Sequence, residues 1–83
     1  MAAGPTKRQV YSAERKLCIR TETEMRAKGY GVIRVGAKRV NVFQDSTLGV
    51  LIGSIWPRVL RASNGEACVL LDSDSDILRE LIS

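Results

Sequence analysis

Apolar residues recur along the chain with two different periods, which separate a helical stretch near the N-terminus from extended stretches after it. From Ser12 on, Leu17, Thr21 and Met25 follow one another at four-residue spacing, which is the period of one face of an α-helix. Ser12 can cap the first turn of such a helix, and Gly29 can adopt the left-handed conformation that commonly ends one. The pattern therefore predicts an N-terminal helix between these two residues.

Residues 31–43 change to a period of two, and the phase of the alternation shifts after Val35. A two-residue type II′ turn at residues 36–37 explains the shift and predicts a β-hairpin. In this register Arg34 faces Arg39 across the ladder, and the two guanidinium groups repel each other. A bound polyanion would remove that repulsion.

A nearly continuous apolar run follows at residues 47–56. It predicts a central strand that is covered on both faces and ends at Pro57. Gly49 and Gly53 interrupt the run, where they indicate bulges or the close approach of another backbone.

The last third of the chain predicts a second hairpin and a short helix. Asn64-Gly65 is the residue pair of a type I′ turn and places Leu60 opposite Val69. Serine and aspartate alternate at residues 73–76, and the apolar residues after them predict a C-terminal helix with acidic residues at its positive end.

The order helix, hairpin, strand, hairpin, helix predicts an α+β fold. We expect a single, mostly antiparallel sheet of about 4–5 strands, with an N-terminal and a short C-terminal helix on one face. The 83 residues suffice for one small domain, expected at residues 10–83 after a flexible basic arm at residues 1–9. Because so small a domain has a thin core, a homodimer that buries more apolar area is also expected.

The charges are unevenly distributed along the chain. Of the 13 Lys and Arg residues, 12 lie in residues 1–61 beside four carboxylates, whereas residues 62–83 carry one beside five. The net charge of +4 therefore conceals a strongly basic body and an acidic tail. The basic body favours binding to polyanions, and the tail would compete with them if it folded over the body.

The candidate nucleic-acid-binding residues are those that a basic hairpin, the N-terminal arm and the end of the first helix would present to phosphates. They are Lys7, Arg8, Arg26, Lys28, Tyr30, Arg34, Lys38 and Arg39.

The run from Lys28 to Val35 is similar, at about half of its positions, to the octamer of the RNA-recognition motif. It departs from that octamer at Val32 and Val35, where the motif has aromatic rings that stack on bases. Tyr30 alone offers a ring here, so we do not assign the chain to that family.

Several kinds of chemistry are disfavoured. The chain has no histidine, and we expect no catalytic residue, no metal site and no cofactor. Its opening is also similar to that of small restriction-type nucleases, but their metal-binding Glu-x-Lys is missing at Glu66. Asp72, Asp74 and Asp76 alternate like the first ligands of a calcium loop, yet Ile77 stands where such a loop has glycine.

Cys18 and Cys68 lie far apart in a chain that shows no signal peptide, so we expect two reduced, buried thiols in an intracellular, cytoplasmic protein. No stretch approaches the ~18 apolar residues of a membrane span.

Together these observations predict a small non-enzymatic nucleic-acid-binding or regulatory domain, which contacts phosphates through the basic hairpin and the arm. The alternative is a protein-interaction module, a small accessory or inhibitory protein of the kind that viruses and mobile elements encode, whose basic face docks on an acidic protein partner.

Overall fold

Six elements follow one another in the computed structural model, which describes residues 4–83. They are helix α1 (Lys7–Ala27), strands β1 (Gly31–Val35), β2 (Arg39–Phe43), β3 (Leu51–Arg61) and β4 (Ala67–Ser73), and helix α2 (Asp76–Ile82). The strands form one antiparallel sheet in the order β1-β2-β3-β4, so each pairs with its neighbours in sequence. The predicted α+β fold is confirmed.

Both helices pack on the same face of the sheet. Met25 of α1 and Leu78 of α2 share one buried cluster with strand residues such as Val40 and Ile55. We call the other side of the sheet the open face. Its side chains are those of Ile33, Val35, Arg39, Asn41, Phe43, Leu51, Ser54, Trp56, Arg58, Leu60, Cys68, Leu70 and Asp72. The prediction that the central strand is covered on both faces is therefore wrong.

α1 begins earlier than the apolar period predicted. Thr6, rather than Ser12, is its N-cap: the Thr6 hydroxyl accepts a hydrogen bond from the Gln9 N–H at 3.2 Å, and the Gln9 side chain accepts one from the Thr6 N–H at 2.9 Å. Residues 7–9, which we expected in the flexible arm, form the first helical turn. The rest of that predicted arm includes residues 1–3, which lie outside the described residues.

The register of the first hairpin differs by one residue from the prediction. Three residues, 36–38, connect the strands, with φ +63° at the first of them, and Val35 pairs with Arg39. Arg34 consequently lies opposite Val40. Because side chains alternate between the two faces of a strand, the slip places Arg34 on the helix-covered face and Arg39 on the open face.

The second hairpin shows the same one-residue difference. Its connection is not the type I′ turn predicted for Asn64-Gly65, since only Gly65 of the two has a positive φ, +86°. A turn closed by a hydrogen bond from the Gly65 N–H to the Ala62 carbonyl, with Gly65 in the left-handed conformation, makes this loop longer than the two-residue turn that we predicted. Leu60 therefore pairs with Cys68 rather than with Val69.

β3 runs through Pro57, which we expected to end it. The pairing of β2 with β3 stops at Val40 and Ile55. Beyond that point β3 has no neighbour on the β2 side, so the missing N–H of Pro57 interrupts no ladder there. At the other end β3 begins at Leu51, because the chain just before it turns through Leu48 at φ +61°.

Gly53 lies at a register shift between β2 and β3, since Val42 pairs with Gly53 and Phe43 with Leu51, so a bulge, one of the two roles predicted for it, is found there. Side chains at the start of α2 also approach it closely. A Cβ at Gly53 would lie 2.7 Å from Oδ1 of Asp74 and 2.8 Å from Cβ of Ser75. Ser75 is the N-cap of α2 and accepts a hydrogen bond from the Leu78 N–H at 3.4 Å. The start of α2 can therefore rest on β3 because residue 53 has no side chain.

The molecule is long for its size. It measures 51 × 22 × 18 Å, and its radius of gyration is 14.2 Å, where a compact domain of this length would have about 12 Å. The extension is the β3–β4 ribbon, residues 58–70, which projects past the first hairpin and contains no buried residue. The N-terminal half of α1 lies along one side of this ribbon.

Candidate nucleic-acid interface

The outer face of α1 carries a row of cations without a carboxylate among them. Four exposed residues whose spacing places them on one side of the helix form this cation row. They are Arg8, Arg15, Lys16 and Arg20. The opposite side of α1 faces the sheet and carries its buried residues, Glu14, Cys18, Thr21 and Met25. At 1.5 Å per residue, the cation row is about 18 Å long.

The cation row is largely free of ion pairs. Within the described residues, no carboxylate oxygen lies within 4.0 Å of a charged nitrogen of Arg8, Arg15 or Lys16. Nε of Arg20 lies 3.8 Å from Oε1 of Glu24, in a pair that is well exposed on both sides. An exposed pair of this kind contributes little and is easily exchanged for another anion.

Lys38, at the tip of the first hairpin, is engaged by α1. Its Nζ lies 3.3 Å from Oε1 of Glu14 and 5.5 Å from the centroid of the Tyr11 ring. The Glu14 side chain is only 9% exposed, so its charge needs a partner. Lys38 therefore has a structural role in joining the hairpin to α1.

Glu22 holds two more of the predicted binding residues. Its Oε1 lies 2.5 Å from Nη1 of Arg26, and its Oε2 lies 3.4 Å from Nε of Arg34. Arg26 also donates a hydrogen bond from Nη2 to the Val32 carbonyl at 3.1 Å. The shared carboxylate ties the last turn of α1 to β1, and it balances part of the charge of both arginines.

Arg39 lies on the open face, on the other side of the sheet from α1. Its guanidinium carbon is 5.2 Å from the centroid of the Trp56 ring, in a cation–π contact. Next to it, the Asn41 side chain accepts a hydrogen bond from the Ser54 hydroxyl at 2.7 Å. The first hairpin therefore does not present its three basic side chains on one surface.

The remaining predicted residues lie at the two ends of α1. Lys7 and Arg8 are exposed in its first turn, and Lys28 is its exposed C-cap. Tyr30 is half-buried and packs against the core. The two ends of a helix of this length are about 30 Å apart, so the eight predicted residues do not form one continuous surface.

Arg15, Lys16 and Arg20 are absent from the predicted set, although they form the centre of the cation row. They follow Arg8 at helical spacings, but they can be recognised as sharing a face with Arg8 only if the helix is known to include Arg8. The signal that places it there is the capping box of Thr6 and Gln9, which is visible in the sequence.

A shallow groove runs beside the cation row, between α1 and the edge strand β4. Leu17, Ala67 and Val69 line it, together with Lys16 and Arg20. The groove therefore combines an apolar floor with a cationic side.

Two carboxylates of the acidic tail, on Asp72 and Asp74, hold β4 and the start of α2 against β3. Asp72 lies between two arginines, with Nη1 of Arg58 at 3.7 Å and Nε of Arg79 at 3.6 Å. Oδ1 of Asp74 accepts a hydrogen bond from the Ser54 N–H at 2.8 Å. Among the described residues, no three His, Cys, Asp or Glu side chains are grouped so as to hold a metal ion.

The two cysteines are free thiols in different surroundings. Cys18 is 1% exposed; burial raises its pKa, the charge of Glu14 adds to that effect, and Arg34 opposes it. Cys68 is exposed, because the register of the second hairpin places it on the open face. The prediction of two buried thiols is therefore wrong for Cys68.

Neither helix in the described part of the chain combines the length and the apolar character needed to cross a lipid bilayer. No protein-family model, no curated protein and no solved structure matches the chain.

Proposed function

We propose that the protein is a small non-enzymatic domain that binds nucleic acid through the outer face of α1. The observation that carries the proposal is the cation row of Arg8, Arg15, Lys16 and Arg20, which is exposed and contains no carboxylate. A helix face that is merely solvated usually mixes both signs of charge at positions three and four residues apart. From Arg8 to Arg20 this face carries a single sign, and Glu24, one turn further on, is already paired with Arg20.

The carboxylates of α1 explain why the charge is concentrated there. Glu14 lies on the sheet side of α1 and pairs with Lys38, and Glu22, just beyond the end of the cation row, pairs with Arg26 and Arg34. The hairpin therefore contributes less free positive charge than its composition indicates. Relative to the footprint that the sequence predicts, the proposed surface moves from the first hairpin to α1 and keeps Arg8.

The cation row supports binding to the phosphate backbone rather than reading of bases. Four cations over about 18 Å can contact several successive phosphates of one strand. The groove beside β4 adds apolar contact, and Lys16 and Arg20 are the hydrogen-bonding side chains among those that line it. We therefore expect affinity that depends strongly on salt and weakly on sequence.

A salt titration tests this proposal. Fluorescence anisotropy of labelled duplex DNA, single-stranded DNA and RNA would be measured at several salt concentrations. Contact with four duplex phosphates predicts that log K falls with log salt with a slope of about −3 to −4. The variant Arg15→Gln/Lys16→Gln removes two cations while keeping good helix formers, and it should reduce the magnitude of the slope by about 2.

The matched control removes the same charge from the other side of the molecule. Arg39→Gln/Arg58→Gln takes two cations from the open face, and it should leave the slope nearly unchanged. Loss of the slope in this control, but not in the α1 variant, would contradict the proposal. So would the absence of binding at low salt; recovery of a stoichiometric protein partner after nuclease treatment would then support the protein-interaction alternative.

A further inference from the structure

The outer edge of β4 carries backbone groups that no neighbouring strand satisfies. The Ala62 N–H donates a hydrogen bond to the Glu66 carbonyl at 2.9 Å, so these two residues begin the β3–β4 ladder as a hydrogen-bonded pair. Hydrogen-bonded and non-hydrogen-bonded pairs alternate along an antiparallel ladder. Ala67, Val69 and Leu71 therefore direct their N–H and C=O groups away from β3, toward the side where the sheet ends.

The two other free edges in the described part of the sheet have features that protect edge strands from pairing. On β1, the Val32 carbonyl accepts a hydrogen bond from an α1 side chain at 3.1 Å, and Arg34 is charged. On the part of β3 that extends past β2, Pro57 has no N–H and Arg61 is charged. Residues 67–71 of β4 contain neither a charge nor a proline. The β4 edge is therefore the most open to another extended chain.

A chain that paired with this edge would place every second side chain in the groove between α1 and β4. α1 does not close the groove, since about 480 Å³ is open between the two elements. Leu17 and Val69 form its floor, and Lys16 and Arg20 line its side. Lys16 has no carboxylate within 4.0 Å among residues 4–83, and Arg20 has only its exposed pair with Glu24. Acidic side chains at alternate positions of the incoming chain would meet both cations.

We propose that an extended acidic segment of a protein partner binds along β4 as a fifth strand of the sheet. Backbone hydrogen bonds to Val69 and its outward-facing neighbours supply affinity, and carboxylates beside Lys16 and Arg20 supply specificity. The inference goes beyond the proposed nucleic-acid binding, with which it shares these two cations, and does not depend on it.

Charge and hydrogen bonding select this occupant over two others. A second copy of the chain would offer residues 67–71 of its own β4, which hold no carboxylate for Lys16 and Arg20, and its α1 would bring further cations toward the groove. Nucleic acid would supply the negative charge. Its phosphate oxygens accept hydrogen bonds but donate none, so they cannot satisfy the carbonyls of the β4 edge.

Fluorescence anisotropy with synthetic peptides tests the proposal. The probe is a labelled peptide of about nine residues that alternates glutamate and threonine. Two control peptides carry methyl groups on the backbone nitrogens, of the glutamates in one and of the threonines in the other. A strand within the sheet turns only one of these two sets of N–H groups toward β4, so one control should bind at least ~tenfold more weakly and the other within about threefold of the probe.

Two variants and one exchange measurement locate the site. Val69→Pro removes an N–H from the middle of the edge without interrupting the ladder to β3, and it should weaken the peptide at least ~fivefold while circular dichroism shows that the fold is kept. Lys16→Gln should weaken it about two- to fivefold, whereas Lys28→Gln, the same change at the exposed end of α1, should stay within about 1.5-fold. In the wild type, saturating peptide should slow exchange of the Val69 amide hydrogen at least ~tenfold.

Three results would overturn the inference. The first is absence of binding up to about 1 mM peptide. The second is equal weakening by both methylated peptides, because the peptide would then bind through charge alone. The third is slower exchange at Val69 with single-stranded DNA but not with the peptide, which would assign the groove to nucleic acid. The peptide measurements contain no nucleic acid, so their failure leaves the salt dependence expected of the proposed function untouched.

Discussion

Nζ of Lys38 and Oε1 of Glu14 lie 3.3 Å apart and join the tip of the first hairpin to the middle of α1. Glu14 is 7% exposed as a residue, whereas half of the Lys38 side chain is in solvent. The pair is therefore asymmetric. Without Lys38 the carboxylate of Glu14 would be a buried charge with no partner, whereas without Glu14 the amine of Lys38 would still be solvated by water.

Lys38→Met should destabilise the protein by about 1–2 kcal/mol in urea unfolding. The variant leaves Glu14 without its cation, and the loss is smaller than the ~3–5 kcal/mol of a fully buried pair because solvent reaches Lys38. Glu14→Gln in the same chain should recover much of the loss, since no buried charge is then left unpaired. Lys28→Met, at an exposed cap, is the control; if it costs as much, the pair does not contribute to stability.

Gly53→Ala should cost at least ~2 kcal/mol of unfolding free energy, because the new methyl group would overlap Asp74 and Ser75 at the start of α2. Gly49→Ala is the comparison, since the nearest atom to a Cβ there is the Thr47 hydroxyl at 3.6 Å. Urea midpoints of the two variants measure the difference. Similar midpoints would show that α2 does not rest on β3 as described.

One thiol should react much faster than the other. Alkylation at about pH 8 followed by mass spectrometry should modify Cys68 quickly, whereas burial and a raised pKa keep Cys18 protonated and shielded. Cys68→Ser should then leave a protein that reacts only as fast as it unfolds. Rapid double alkylation of the native protein would contradict this assignment.

The raised pKa of Cys18 also makes stability depend on pH. Because this pKa lies above the ordinary value of 9.0 in the folded state, the contribution of the protonated thiol to the free energy of unfolding should be fully present below pH 9.0 and fall as the pH rises beyond it.

Asp45, in the exposed loop between β2 and β3, should make a small part of the protein's stability depend on pH in the acid range. Hydrogen bonds from the hydroxyl and the N–H of Thr47 lower the pKa of Asp45 below its ordinary value of 3.8. The carboxylate therefore stabilises the fold above pH 3.8, and this contribution is lost as the pH falls through the lowered pKa. Asp45→Asn should unfold at lower urea than the wild type at neutral pH, and the two midpoints should converge in strong acid. A gap that persists there would mean that the hydrogen-bonded charge is not the cause.

The kind and order of the elements could be predicted because they depend on local periods. The four-residue spacing of Thr21 and Met25 and the position of Gly29 locate the second half of α1 without knowledge of the sheet. The strand registers could not be predicted in the same way. They depend on whether a connection contains two residues or three, and the local sequence at residues 36–38 permits both.

That single residue decides much of the candidate site. The slip sends Arg34 to Glu22 on the helix side and leaves Val35 on the open face. A separate slip of one residue, in the second hairpin, exposes Cys68. The prediction that Pro57 ends β3 failed for another reason. A proline ends a strand only where a neighbouring strand needs its N–H, and β2 stops pairing with β3 before Pro57. Where β2 stops cannot be predicted from the residues around Pro57.

The uneven burial along the molecule implies that it opens from one end. The fully buried cluster of Met25, Val40 and Leu78 lies at the end where α1 leads into β1, whereas the β3–β4 ribbon has no buried residue. Amide hydrogens of the ribbon should therefore exchange with solvent at a lower free-energy cost than those of β2. The cation row begins on the turns of α1 that lie along this ribbon, so the proposed binding surface sits on the half of the molecule that fluctuates first. A ligand that bridges Arg8 and Lys16 would slow that exchange and so stiffen the end that the core leaves loose.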